Sequence, residues 1–234
     1  MERKKIILGS IIIAASMMLS SFGFYFWQMV YTPNLLVERE ARELAIPTGS
    51  TFKDVQNLLF DGGYVNDLVA FSFLSKLMNY DQTVKPGLYW IEKDMPNLQA
   101  IRLLRSGAQQ EVNITFNNVR LLKDLPEKIT KNLEMSESDL LAVIMDDSIQ
   151  QSFGFDSLTM IGLFIPNTYQ VFWDIKPVAL VKRMKKEYDK FWTQERKDKA
   201  AALNLSPKEV SALASIVQAE TIMSDERKVV AGLY

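Results

Sequence analysis

The longest apolar run of the chain extends from Ile6 to Trp27 without a charge, and after Lys5 none appears until Glu38. Twenty-two residues at about 1.5 Å rise cover roughly 33 Å, against a bilayer hydrocarbon core of about 30 Å. The pattern predicts a membrane-spanning helix over 6–27, with Phe22, Phe24, Tyr25, Phe26 and Trp27 as an aromatic belt at its far end. Arg3, Lys4 and Lys5 precede it, which predicts a cytoplasmic tail over 1–5 and the bulk of the chain outside. The expected location is therefore the cytoplasmic (inner) membrane, single-pass. A cleavable signal peptide is the alternative, but its apolar core usually spans about 7–15 residues and ends at a small-residue site. This run is longer and ends in bulky aromatics, so an uncleaved anchor is expected.

After the span, 28–42 reads as a polar, irregular juxtamembrane linker with Pro33. Glu43 to Pro47 predicts a short strand. Thr51 and Asp54 cap a helix carrying Phe52, Val55, Leu58 and Leu59, which Asp61-Gly62-Gly63 ends. Asn66-Asp67 starts a second, with Leu68, Phe71, Leu74, Leu77 and Met78. Pro86-Gly87 is a turn before the strand Leu88–Ile91, Pro96–Arg105 is a third helix, and Val112, Ile114 and Phe116 alternate as in a strand over Gln110–Phe116. The outcome is a small β-α-α-β unit with additions over 43–117. From Arg120 the pattern turns helical. Leu121–Leu133 and Ser136–Ile149 are amphipathic, the second with a Ser136/Asp139 capping box, and Lys176–Leu203 is a long charged helix or a pair. Between them Ile161–Trp173 is too apolar for an exposed loop, yet it carries Asn167, Thr168 and Tyr169. Aromatics beside polar donors line carbohydrate clefts; a buried connector is the equal alternative. The fold class is α+β: an anchor, a small β-α-α-β subdomain and a mainly helical domain over 118–234.

The last helix carries the chemistry. Ser206 caps it, Pro207 suits its first position, and Glu209 completes the capping box. Val210, Leu213, Ala214 and Val217 form one apolar face, and Glu220 falls on the flank of that stripe. A half-buried carboxyl is expected there, where desolvation favours the protonated form that a general acid needs. A glutamate that merely borders a helix end is the plainer alternative. The chain has no histidine and no cysteine, which excludes Ser-His-Asp triads, thiol nucleophiles and His or Cys metal sites. A carboxylate, lysine, tyrosine or hydroxyl must act instead. Without disulfides, the roughly 200 residues after the span need a conventional core, enough for one large or two small domains. The net charge of −1 gives no electrostatic footprint for nucleic acid. Ser224–Arg227 opens a further helix with Val229, Val230, Leu233 and Tyr234, and the chain stops inside it, which predicts a longer parent protein.

Two resemblances follow from these motifs. Ile46-Pro47-Thr48-Gly49-Ser50-Thr51-Phe52 is similar to the opening of LysM modules, which bind N-acetylglucosamine polymers. The whole chain resembles the YceG-like (MltG) family of endolytic murein transglycosylases. The match lies in Leu213–Thr221 followed by Asp225-Glu226-Arg227 and Val229-Val230-Ala231-Gly232, in Gly162–Tyr169, and in the order anchor, LysM-like unit, helical part. The family shows A-S-I-[IV]-E-x-E-T, where the glutamate before Thr is catalytic; that position is Glu220. This chain departs from the pattern at Gln218, where the family has Glu, and at Ile161 and Asn167, where it has acidic residues. The family also continues past Tyr234 with N-R-L and Q-x-D-P-T segments. The resemblance implies a lytic transglycosylase that cuts the MurNAc–GlcNAc β-1,4 bond of nascent strands, beside peptidoglycan synthases, with no metal or cofactor. It implies substrate contacts at Asn167, Thr168, Tyr169, Gln218 and Thr221. The rivals are a non-catalytic, membrane-anchored peptidoglycan-binding scaffold and a hydrolase that adds Asp225 or Glu226 to Glu220.

Overall fold

The computed structural model describes residues 2–36, 41–117 and 119–234. The part of the expected linker over 37–40, and Asn118, lie outside the described residues. The chain forms two compact units: 1–111 with 172–174, and 112–171 with 175–234.

The first unit begins with helix α1 (Glu2–Tyr31), whose apolar side chains from Ile6 to Trp27 are exposed. Its last turn is different. Val30 is buried in the core of the unit, and the carbonyl of Met29 accepts a hydrogen bond from Asn97 Nδ2 at 2.9 Å. The expected linker is corrected here. Strand β1 (Pro33–Leu35) pairs with the short β4 (Met95–Pro96), Leu35 is wholly buried, and Leu36 N–H donates to Tyr64 O. Asn34 drives this departure from the polar reading. It is buried, and its amide donates to Asn97 Oδ1 at 2.7 Å and to Asp67 O at 2.9 Å while its Oδ1 accepts from Asp67 N. A buried amide with its donors and acceptor satisfied stitches chain together rather than loosening it.

Strand β2 (Ala41–Ile46) pairs antiparallel with β3 (Gly87–Glu92) in unbroken register from Ala41↔Glu92 to Ile46↔Gly87. Leu44 and Ile46 face Tyr89 and Ile91 in the core, as period-two alternation requires. Between the strands lie α2 (Phe52–Asp61), with the Thr51/Asp54 capping box, and α3 (Leu68–Leu77), capped by Asp67. Helix α4 (Asn97–Ser106) closes on Gly107, whose φ of 74° is the left-handed conformation glycine adopts freely.

The second unit has its own core. Strand β5 (Glu111–Phe116) forms where the alternation places it, but it does not extend the β2–β3 sheet; it pairs with β6 (Asn167–Phe172). The reason is side-chain packing: Ile114 and Phe116 point into this core, and Phe116 stacks on Tyr169 at 5.6 Å between centroids. Two expected helices are shorter than their periodicity implies. Leu121–Leu133 resolves into a 3-10 turn at Leu122–Asp124 and α5 (Leu125–Thr130). Ser136–Ile149 breaks into α6 (Glu137–Ile144) and α7 (Asp147–Ser152), because Asp146 turns its carboxylate onto Ile149 N and starts a new helix. The long charged segment is a pair, α8 (Pro177–Phe191) and α9 (Gln194–Ala202), with Thr193 as the second cap. Helices α10 (Pro207–Glu220) and α11 (Arg227–Leu233) complete the unit. The structure is thus mixed α and β, with small two-stranded sheets among many helices.

Candidate active site

Helix α10 is packed on the core at its start and exposed over much of its end. Ser206 Oγ accepts from Glu209 N, and the Glu209 carboxylate accepts from Ser206 N at 2.7 Å. The Ser206 hydroxyl first, and then the Ser206 backbone N–H, hold the Glu209 carboxyl below its ordinary value. Lys208 donates to the Gly154 carbonyl and lies 4.8 Å above the Phe155 ring. Val210 packs against the core, and a side chain at Gly162 would meet Ser211 at 3.8 Å, so the 3-10 turn Met160–Leu163 lies on this half of the helix.

The C-terminal half then leaves the core. Of the expected apolar stripe only Val217 is buried; Val210 and Leu213 are half-buried and Ala214 is exposed. Gln218 and Glu220 are exposed as well. The half-buried setting expected of Glu220 is therefore corrected. The stripe is covered along one edge only, so a residue on its flank meets solvent. Glu220 Oε1 accepts from Tyr234 Oη at 3.3 Å. The helix stops at Thr221, which adopts an extended conformation (φ −143°, ψ 138°). Thr221 itself is buried. Its hydroxyl donates to Glu226 Oε2 at 2.6 Å and accepts from Met223 N at 3.0 Å, which folds the chain back toward α11. The bend places one accessible carboxyl at a defined helix end, where it can give a proton to a bound oxygen and take it back.

The second group of candidates lies on β6. Asn167 and Thr168 are exposed; Asn167 Oδ1 accepts from Thr168 N, and Thr168 Oγ1 shares a 2.8 Å hydrogen bond with Thr115 Oγ1 across the β5–β6 pair. Thr115 went unnoticed in the sequence, although the alternation of Val112, Ile114 and Phe116 sends it to the opposite, wet face. Tyr169 points inward. It is 7% exposed, stacks on Phe116 and donates its hydroxyl to Ile165 O at 2.6 Å. Burial first, then the negative charge of Glu187, raises that hydroxyl above the ordinary tyrosine value, and Arg183 opposes them. Its place is in the core, so the substrate contact expected of Tyr169 is corrected: the ring is spent on packing against Phe116. The hydrogen bonds of Asn167 and Thr168 go to β5 and to β6 itself, those of Glu220 and Thr221 to the α10–α11 bend; among the described residues the two pairs share none.

The YceG-like family matches residues 44–234. Two curated relatives are similar over 93% of this chain. An endolytic murein transglycosylase of Streptococcus pneumoniae R6 is 23% identical. Its counterpart in Streptococcus pneumoniae serotype 2, strain D39, is 22% identical. The aligned part is 44% of each relative, so the chain spans less than half their length. A crystal structure of a yceG-like protein from Listeria monocytogenes aligns with a TM-score of 0.47 at 20% identity, over 81% of this chain and 67% of that one. With the family match covering most of its length, this chain belongs to the YceG-like family.

Proposed function

We propose that the chain acts as an endolytic peptidoglycan lytic transglycosylase, with Glu220 as its acid and base. The observation that carries this reading is the coincidence of family and geometry: the Glu-Thr pair of the family motif stands where α10 ends, with the threonine folded in and the glutamate turned out. The Glu220 carboxyl protonates the glycosidic oxygen between MurNAc and GlcNAc, and that C–O bond breaks. The C6 hydroxyl of the same MurNAc attacks C1 and returns its proton to Glu220, leaving a 1,6-anhydro end. Ordinary glycoside hydrolysis needs two carboxylates. A nucleophile tethered within the sugar removes the need for the second and gains effective molarity. Bound glycan would supply the desolvation that the free helix end lacks. Asn167 and Thr168 are the proposed substrate contacts on β6, with Tyr169 fixing them from below; Gln218 and Thr221 flank the acid. No metal or cofactor enters this chemistry.

The order β2-α2-α3-β3, with its antiparallel strand pair, supports reading 43–117 as a LysM-like, glycan-binding subdomain ahead of a catalytic domain over 118–234. Helix α1 is long and apolar enough to cross a membrane, with a mean hydropathy of 2.0. The burial of Val30 and the bond to Met29 O support an uncleaved anchor, since cleavage at the far end of α1, after them, would take both out of the core. The proposed setting is the cytoplasmic membrane with both units outside, beside synthases whose nascent strands are shortened. A non-catalytic glycan-binding scaffold is the second reading, and the exposure of Glu220 favours it.

Mass spectrometry of uncrosslinked glycan strands, incubated with the chain in detergent micelles, separates these readings. Anhydro-ended fragments that disappear with Glu220→Gln, while circular dichroism stays unchanged, are expected. Reducing ends without anhydro sugar would make the protein a hydrolase. Intact strands that co-sediment with folded protein would make it a scaffold.

A further inference from the structure

Helix α3 carries three large apolar side chains that nothing in its own unit covers. Val69, Phe73 and Leu77 are 78%, 53% and 59% exposed. They recur at i, i+4 and i+8, so they form one row along the helix, while Ala70, Phe71, Leu74 and Ser75 on the other side are buried. Lys76, exposed beside the row, has no ion pair among the described residues. A helix apolar on both sides, with one side buried and the other bare, leaves an uncovered apolar patch of the kind that marks a membrane or protein contact.

The position of α3 supplies the occupant. Its N-cap, Asp67, binds Asn34 through both its N–H and its carbonyl, and Asn34 binds Asn97, which holds Met29 at the end of α1. Helices α1 and α3 therefore meet in one hydrogen-bonded knot. From Trp27, the last residue of the expected membrane span, to the buried Val30 is three residues, or about 4.5 Å of helix. The polar layer of each leaflet is about 5–8 Å thick. The core of the first unit thus begins inside the thickness of that layer, with no slack chain to carry it away. We propose that the first unit rests on the lipid surface through the Val69–Phe73–Leu77 row of α3, with Lys76 among anionic head groups, as a second membrane contact beside α1. This rests on the reading of α1 as a membrane anchor.

The chain has no cysteine, so single cysteines can be introduced one at a time and labelled with an environment-sensitive fluorophore. The full chain carrying Phe73→Cys, Leu77→Cys or Ser16→Cys is reconstituted into phosphatidylcholine–phosphatidylglycerol vesicles. The labels at 73 and 77 are expected to shift to the blue, to be quenched by lipids brominated close to the head group, and to resist aqueous iodide. The label at 16 is expected to respond to lipids brominated deep in the chains. Labels at 73 and 77 that iodide quenches and bromolipids leave unchanged, with position 16 still lipid-buried, would overturn the surface contact and leave the anchor standing. Shielding from both quenchers would assign the row to a second protein copy and overturn it equally. A label at 16 untouched by bromolipid would remove the anchor reading, and the inference with it.

Discussion

Asn97 spends both ends of its side-chain amide on partners distant in sequence: Nδ2 on Met29 O, 68 residues away, and Oδ1 on Asn34, 63 away. Truncation leaves the Met29 carbonyl and an Asn34 amide hydrogen without their partner. Asn97→Ala is therefore expected to cost about 1–3 kcal/mol, read from denaturant unfolding of the chain in micelles. Tyr89 offers a pH signature in the same unit. Burial first, then the negative charge of Asp174, pushes its hydroxyl up to about 12, while the hydroxyl donates to Lys85 O and Pro86 O. The neutral form is favoured in the folded state, so its contribution is complete below the ordinary value of 10.0 and lost as pH rises toward about 12. Phenolate absorbance should show the buried Tyr89 ionising above the ordinary tyrosine range, in step with unfolding. The sequence shows where Glu220 sits on its helix, because a helical stripe is a local pattern. It does not show that the stripe is covered along one edge only, because cover comes from elements far away. The Asn34–Asn97 pair is invisible for the same reason: two polar residues read as surface until their partners are known.

Local chemistry made several elements legible. The Thr51/Asp54, Ser136/Asp139 and Ser206/Glu209 boxes all form, since each needs only four consecutive residues. The cap on α10 gives the next prediction. The folded value of Glu209 lies below its ordinary 4.5, so the cap contributes fully above that pH and is lost as pH falls through the lowered value. Amide exchange in the first turn of α10 should quicken over that acid range, relative to the intrinsic rate. Ser206→Ala should remove the side-chain acceptor at neutral pH, for about 1 kcal/mol. Strand β6 was hidden because its partner β5 lies some fifty residues upstream, as the Thr115–Thr168 contact shows with a separation of 53. The break at Asp146 is also a local cap, but the apolar period runs on across it and hides it, whereas the charged segment around Thr193 is compatible with a pair from the sequence.

The two units keep separate cores, one around Leu59, Phe71 and Leu104, the other around Phe116, Met160 and Leu180. Leu104→Ala and Leu180→Ala should each cost about 2–5 kcal/mol. Each loss should fall on the amides of its own unit in hydrogen exchange, because the sites share no core neighbours. A common response of all core amides to either change would mean that the units unfold as one. The last turn of α1 bears on how such a molecule is made. Met29 and Val30 belong to the hydrophobic helix by sequence and to the first unit by packing. The core of the unit is incomplete until the end of that helix is in place. A processing enzyme that trimmed the helix at its far end would discard part of the domain with the leader. The apolar helix is thus itself a structural component of the unit that follows it.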